Sequence, residues 1–430
     1  MAHSPFGTRN PAQELYDGHW RHADRLFLHG GWLGRAIACA LPGPISLLRP
    51  ETAGMTSYVV KGWCPDAWHP MMAGDGLLVR VKPVLGRLTR EQVLGLCDAA
   101  MTHGNGLIDM TRRANLQIRG LRENAWEALI SQLLALNLVD DDPALEKRRN
   151  ILVAPDWQDG DDTHRIASEL KQRLGELPDL PGKVGFVIDA GQSNILQGEA
   201  GDFRIERGES GHLILRVDGR PAGVALKAGK ETDALIALAH WFAASGGSDA
   251  KRMALHHAAL PQWADGDCLP TQPKASIAPG PHDPGMAYGL PFGRIEARTL
   301  AQIMEMPPVK AVRVTPWRVL LLEGAAAGSL GGLSSDPADP LLRAEACPGA
   351  PHCPQATVVT RDLAARLAPH IEGQLHVSGC AKGCAHPRPA DVTLTGREGR
   401  FDLCLKDSAG GPPIRSALSP AEILAHFGAA

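Results

Sequence analysis

The chain has 430 residues, 44% of them hydrophobic and 21% charged, with a formal net charge of −3. That length predicts two or three domains with ample material for buried cores, and the composition is that of an ordinary globular protein. The small negative charge argues against a general nucleic-acid binder, so any polyanionic ligand must meet a local cationic patch. No apolar run approaches the ~20 residues of a membrane span. The nearest, Ala36 to Leu48, is interrupted by Pro42 and Pro44. It follows a segment rich in Trp and His that does not read as a signal peptide. The expected location is the cytoplasm, with reduced thiols.

Residues 1–54 show neither periodicity nor caps, and they read as an N-terminal extension or as upstream sequence ahead of a start at Met55. From Gly74 the chain becomes legible. Leu77 to Lys82 alternates as a strand. Thr89-x-x-Gln92 forms a capping box for a helix to about Met101, closed by Gly104 and Gly106. Leu107 to Thr111 and Asn115 to Gly120 are strands, and a helix follows from about Asn124 to Leu136.

A second copy of this β-α-β-β pattern follows the Pro/Gly-rich segment 261–285. Gly289 to Ile295 reads as a strand, Ala297 to Met304 as a helix, and Val309 to Thr315 and Trp317 to Glu323 as strands. Thr111 to Gly120 and Thr315 to Gly324 span the same number of residues. Two copies in register suggest a pseudo-twofold, with a site in the crevice where the copies meet. Between them lies an α/β region with a helix from Thr163 to Leu174 and strands Lys183 to Ile188, Phe203 to Glu206 and His212 to Val217. A helix capped at Thr232 follows. Residues 325–346 read as a linker. The last region holds strands near Asp391 to Thr395 and Phe401 to Leu405, and a helix opened by the capping box Ser419-x-x-Glu422 with Pro420 at N1.

The expected domains are 1–54 (extension), 55–140 (first half-repeat), 141–260 (α/β), 261–324 (linker and second half-repeat) and 325–430. The last carries the strongest chemical signal. Four of the nine cysteines fall in two pairs, Cys347-x5-Cys353 and Cys380-x3-Cys384, with 26 residues between them, including a run, PQATVVTRDLAARLAPHI, that reads as helical. Four thiolates delivered by two loops suit a four-iron, four-sulfur cluster, which takes one cysteine at each iron corner. Glycines and prolines beside the cysteines let the backbone wrap closely. A structural zinc site usually has shorter loops, and disulfides do not suit a reducing compartment. Cys97, within a helix, and Cys404, in an apolar strand, read as small core residues. Cys39, Cys64 and Cys268 have no partner in spacing.

The wording ACPGAPHCPQA with SGCAKGCAHP resembles the cluster motif of the sulfite and nitrite reductase superfamily, and most of all the precorrin-3B synthase family. The resemblance runs from about Gly62 onward. It implies an α+β fold with two ferredoxin-like half-repeats related by a pseudo-twofold plus α/β domains, the C-terminal one carrying the cluster. It implies a 4Fe-4S cluster on Cys347, Cys353, Cys380 and Cys384, and a mononuclear non-haem iron whose ligands the sequence does not reveal. The implied reaction is oxygen-dependent conversion of precorrin-3A to precorrin-3B, with electrons from an external donor, NAD(P)H through a reductase or a ferredoxin. The superfamily's cation-bearing turns fall on Arg113, Arg149 and Lys183, with Arg112, Arg119 and Arg148 as neighbouring candidates. A second superfamily lysine is replaced here by Gly185. That departure weakens the case for a small dianion such as sulfite and suits a larger polycarboxylate, which arginines can pair in bidentate fashion.

Alternative readings are a sirohaem-dependent sulfite or nitrite reductase and a non-catalytic electron carrier. His352 and His386 are the imidazoles nearest the cysteines in sequence, and each is read first as a loop histidine bonded to backbone. His69, His103, His376 and the pair His256-His257 are weaker still as iron ligands. No catalytic residue is assigned.

Overall fold

The computed structural model describes residues 64–429, so the expected extension 1–54, with Cys39, lies outside the described residues. Strands β1 (Met71–Ala73) and β2 (Gly76–Val81) form a hairpin. β2 then pairs with β5 (Leu116–Leu121), and β5 with β4 (Leu107–Met110). The second copy repeats this order with β11 (Gly280–His282), β12 (Gly285–Gly289), β15 (Val319–Glu323) and β14 (Ala311–Val314). The fifth strand of each sheet comes from the other copy. β3 (Arg87–Thr89) pairs with β14, and β13 (Arg294–Glu296) pairs with β4.

This exchange corrects the expected strand Gly289 to Ile295. β12 ends at Gly289, a tight turn holds Phe292 at φ 57° with Gly293 at φ 66°, and the chain crosses to the opposite sheet. The first copy turns in the same way, with Leu85 at φ 53° and Gly86 at φ 70°. Glycine accepts that conformation without cost, whereas leucine and phenylalanine do so only under constraint. Each exchanged strand leads into a helix, Arg90–His103 with the expected Thr89/Gln92 capping box, and Ala297–Glu305. One core, including Val79, Leu96, Ile108 and Ile118 with Leu300, Val312 and Leu320, serves both copies.

The other two sheets also repeat each other. β6 (Ile151–Val153), β7 (Phe186–Asp189) and β8 (Phe203–Arg207) run parallel, then β9 (Leu213–Val217) and β10 (Val224–Ala225) return antiparallel. β16 (Ala344–Ala346), β17 (Leu375–Ser378) and β18 (Ala390–Arg397) likewise run parallel, with β19 (Arg400–Asp407) and β20 (Arg415–Leu418) antiparallel. The duplication therefore extends beyond the half-repeats to the sheet that follows each. In the first module Phe203 lies between Phe186 at 5.8 Å and Phe242 at 5.6 Å, aromatic pairs worth about 0.5–1.5 kcal/mol each beyond area burial.

Three further readings change. Residues 325–346 are more than a linker, because they end in the turn Pro340–Arg343 and in β16, the edge of the cysteine-bearing sheet. The run after Cys353 is α-helical only over Arg361–Leu367, with a 3-10 turn over Ala368–His370, since Thr357 N–H bonds the Gly379 carbonyl and draws the preceding segment into the loops. The helix expected to be capped by Thr232 begins at Glu231, and the buried Thr232 hydroxyl makes no cap. The final helix, Pro420–His426, has the expected Ser419/Glu422 box. Among the described residues, no helix is long and apolar enough to cross a membrane.

Candidate cluster and substrate site

Parallel neighbours β16 and β17 end side by side, and the two cysteine loops leave from those ends, the usual place for a crevice beside parallel strands. Cys347 follows β16 directly, and Gly379-Cys380 follows β17. The Gly379 N–H donates to Cys347 Sγ at 3.1 Å. A Cβ on Gly379 would lie 2.5 Å from Ala356 Cβ and 3.5 Å from Cys347 Sγ. Gly349, at φ 67°, leaves no room for a Cβ against the Thr360 hydroxyl, which itself donates to the Cys347 carbonyl at 2.6 Å. These glycines shape a cradle around sulfur.

Cys347 is buried, Cys353 and Cys380 half-buried, and Cys384 the most open. Enough protein surrounds the Cys384 sulfur to push its thiol up to about 11, against the pull of Lys382 and with help from the other three cysteines. Burial raises Cys347 too, opposed by the Gly379 and Gly349 N–H groups and reinforced by Cys353 and Cys380. The four sulfurs thus lie within one another's fields, and four thiolates gathered without a cation repel. Among the described residues, no group of three or more His, Cys, Asp or Glu side chains is close enough to hold a single metal ion. The described residues thus present no ready ligand set for the expected mononuclear iron.

Both loops are clamped by the first half-repeat. Gly74 N–H and Arg119 Nη2 each donate to the His352 carbonyl at 3.1 Å. Arg119 also forks onto Asp75 at 3.0 and 2.8 Å. Arg112 Nη2 lies 3.1 Å from His386 Nδ1 on the second loop and 3.3 Å from Glu345 Oε1 on β16. Beneath His386, ring centroids 5.7 Å apart, His376 is fully buried with neither ring nitrogen partnered. Burial, then His386 and Arg112, push its pKa down to about 4, so it is neutral.

Beside the β4–β5 turn lies a cavity of about 340 Å³ lined by Cys64, Asp66, Arg80, Lys82, Arg113 and Lys147, among others. Burial lowers the pKa of Arg80, Lys82 and Arg113, offset in part by Cys64 for the arginines and by Glu146 and Asp66 for the lysine. Cations gathered out of water favour an anionic ligand.

The expected anchors separate in this frame. Arg113 lines the cavity and donates to the Lys183 carbonyl at 2.7 Å, while the Lys183 side chain is exposed. Arg112 joins the cysteine loops instead. Arg119 is spent on Asp75, Asp109 and His352, and Arg149 on Glu146 at 2.6 Å and on the Lys82 carbonyl. Both are buried and act as framework. Arg148 caps the Leu174 and Gly175 carbonyls. Arg80, Lys82, Lys147 and Cys64 were not anticipated. The signal available was the spacing of Arg80 and Lys82, two apart at the end of β2, with Arg80 on the strand and Lys82 just past it.

Comparison with known proteins agrees with this architecture. Residues 69–136 match the nitrite/sulfite reductase ferredoxin-like half domain. A precorrin-3B synthase from Sinorhizobium sp. is 31% identical, with 87% of this chain and 88% of that protein covered. A ferredoxin–nitrite reductase from Synechococcus elongatus is 22% identical, covering 79% and 80%. The solved structure of the NirA protein of Mycobacterium tuberculosis superposes with a TM-score of 0.56 at 18% identity, over 81% of this chain and 78% of that one.

Proposed function

Because the chain belongs to the precorrin-3B synthase family, we propose that this oxidoreductase is an iron–sulfur monooxygenase that converts precorrin-3A to precorrin-3B in aerobic cobalamin biosynthesis. One oxygen atom enters at C20 with γ-lactone formation, and the other leaves as water with two electrons from an external donor. That donor is NAD(P)H through a reductase, or a ferredoxin, and the enzyme works in the cytoplasm. Cys347, Cys353, Cys380 and Cys384 hold a 4Fe-4S cluster, which supplies single-electron transfer when bound.

The observation that carries this reading is the adjacency of Arg112 and Arg113, one tied to the cysteine loops and the other lining a cationic cavity. Arg113, with Arg80, Lys82 and Lys147, binds the substrate's acetate and propionate groups through charge-assisted hydrogen bonds. Lys183, on the exposed flank, meets carboxylates that extend beyond the cavity. The cations hold the macrocycle in one orientation, so that attack is confined to one carbon.

A sirohaem-dependent sulfite or nitrite reductase is the second reading, supported by the nitrite reductase relative. Gly185 stands against it. A Cβ there would lie 3.8 Å from Arg113 Nη1, so the absent lysine would have crowded a second cation beside Arg113, as a small dianion requires. Two measurements on anaerobically purified protein separate the readings. A broad visible shoulder without a Soret-type band fits the oxygenase, and a Soret-type band fits the reductase. Oxygen uptake that depends on both precorrin-3A and reductant is expected, and its absence would sink the oxygenase reading.

A further inference from the structure

Arg112 and Arg113 are consecutive but serve different neighbours. Arg113 lines the cavity, whereas Arg112 bridges His386 and Glu345. Both of those partners belong to segments that carry cysteines, since Glu345 is two residues before Cys347 and His386 two residues after Cys384. One guanidinium therefore ties the second cysteine loop, and the strand β16 that leads into the first, to the turn that bears Arg113.

The connection is stiff. The turn is closed by Thr111 N–H to the Asn115 carbonyl at 2.9 Å and by Ala114 N–H to the Thr111 carbonyl at 3.0 Å, with Ala114 at φ 53°. A displacement of Arg112 is not absorbed inside such a turn and passes to Arg113. His386 is backed by the buried His376 ring, and Arg318 shares the same Glu345 oxygen, Oε1, at 3.2 Å.

We infer that His386 is a positioning residue which, through Arg112, couples filling of the cationic cavity by a polycarboxylate to the oxidation state of the cysteine-bound cluster. The inference rests on the reading of the four cysteines given above. An electron added between the loops adds negative charge beside Arg112 and draws that guanidinium toward them. Arg113 then moves with the turn. Coupling of this kind is reciprocal, so the cavity's affinity must differ between the oxidised and reduced protein by the factor through which ligand alters cluster reduction.

The test uses the full chain with its cluster assembled, under anaerobic conditions, and uroporphyrin I as a stable octacarboxylate tetrapyrrole probe. Its Kd is measured for oxidised and for dithionite-reduced protein. In the wild type the two values differ by about fivefold or more, the lower end of ordinary coupling. In His386→Ala they converge to within about twofold while the cluster absorbance is unchanged. His386→Gln, which keeps an acceptor for Arg112, restores most of the difference. Arg112→Lys lies outside the cysteine loops and shows the same convergence, so it decides the matter if His386→Ala fails to hold a cluster. Equal Kd values in the wild type, or an undiminished difference in either variant with its cluster intact, would overturn the coupling alone. A wild-type chain that assembles no cluster, or does not bind uroporphyrin, overturns the functional reading and the coupling together.

Discussion

Arg87 and Arg294 stand at matching places on the two exchanged strands, and each forks onto an acid of the opposite half-repeat. Arg87 reaches Glu323 at 2.8 and 2.7 Å, and Arg294 reaches Asp109 at 2.7 and 3.2 Å. Charge as well as backbone pairing thus marks where each strand must land. Asp109 is the more buried of the two acids and also faces Arg119 and Arg361, each at 3.6 Å.

Asp109→Asn is expected to cost about 3–5 kcal/mol, because it leaves several arginines facing a neutral group out of water. The check is a lower urea midpoint at unchanged slope. Burial alone would raise the Asp109 carboxyl, but the Arg294 hydrogen bond and the charges of Arg361, Arg294 and Arg119 hold it below its usual value. Its stabilisation is therefore fully present above about pH 4, the unfolded value, and is lost as pH falls below that. The variant should lose less stability than wild type over that acid range.

Cys380→Ser, and equally Gly379→Ala, should abolish the cluster's visible absorbance. The first removes a ligand, and the second puts a methyl 2.5 Å from Ala356. Cys97→Ser and Cys404→Ser should keep it, since both thiols are core groups that burial pushes up to about 12 and about 11. Iron and acid-labile sulfide analysis of the four variants tests this. Loss of cluster from the core variants alone would refute the assignment.

Arg113→Ala should weaken binding of a polycarboxylate tetrapyrrole by about 10- to 150-fold, the equivalent of a hydrogen bond to a charged group worth about 1.5–3 kcal/mol. The cluster spectrum should stay intact. Binding by the wild type should also fall with rising salt, because the attraction is ionic. A titration followed by fluorescence quenching measures both effects.

Asp189, at the end of β7, is fully buried, and Oδ1 has no partner while Oδ2 accepts from the Ile195 and Leu196 N–H groups. Burial pushes its pKa up to about 7, despite the Leu196 N–H. Here the folded value lies above the unfolded one. Stability contributed by the protonated acid is full below about pH 4 and declines as pH rises toward 7. The span corresponds to at most about 4 kcal/mol. Asp189→Asn should flatten this decline between pH 4 and 7, as read by urea unfolding across that range. An identical slope in both proteins would refute the shift.

The duplication was legible in the sequence because matching residues meet matching backbone demands. Ala114 and Arg318, at the same step of the two in-register segments, both take positive φ, at 53° and 58°. The exchange was not legible. A three-residue strand such as Arg294–Glu296 has the same alternation whichever sheet it joins, and only its distant partner Asp109 decides. The repetition between the β6–β10 and β16–β20 sheets was hidden for another reason. One set of loops carries four cysteines and the other none, so the wording diverged where the backbone did not. Spacing and flanking glycines bring the cysteines forward as a candidate site. Charge alone could not sort the arginines, because the acids that occupy Arg119, Asp75 and Asp109, lie elsewhere in the chain. Arg80 and Lys82 do not stand out in the sequence, because an alternating strand reads most simply as having one wet face.

The traded strands also bear on synthesis. The sheet begun at Met71 keeps an unfilled edge along β4 until Glu296 has left the ribosome, while Arg87–Thr89 waits for Ala311–Val314. A nascent chain therefore carries an open hydrogen-bonding edge from Met110 until Glu296, nearly two hundred residues of elongation, a hazard for aggregation. No fragment ending before the second copy can close the first.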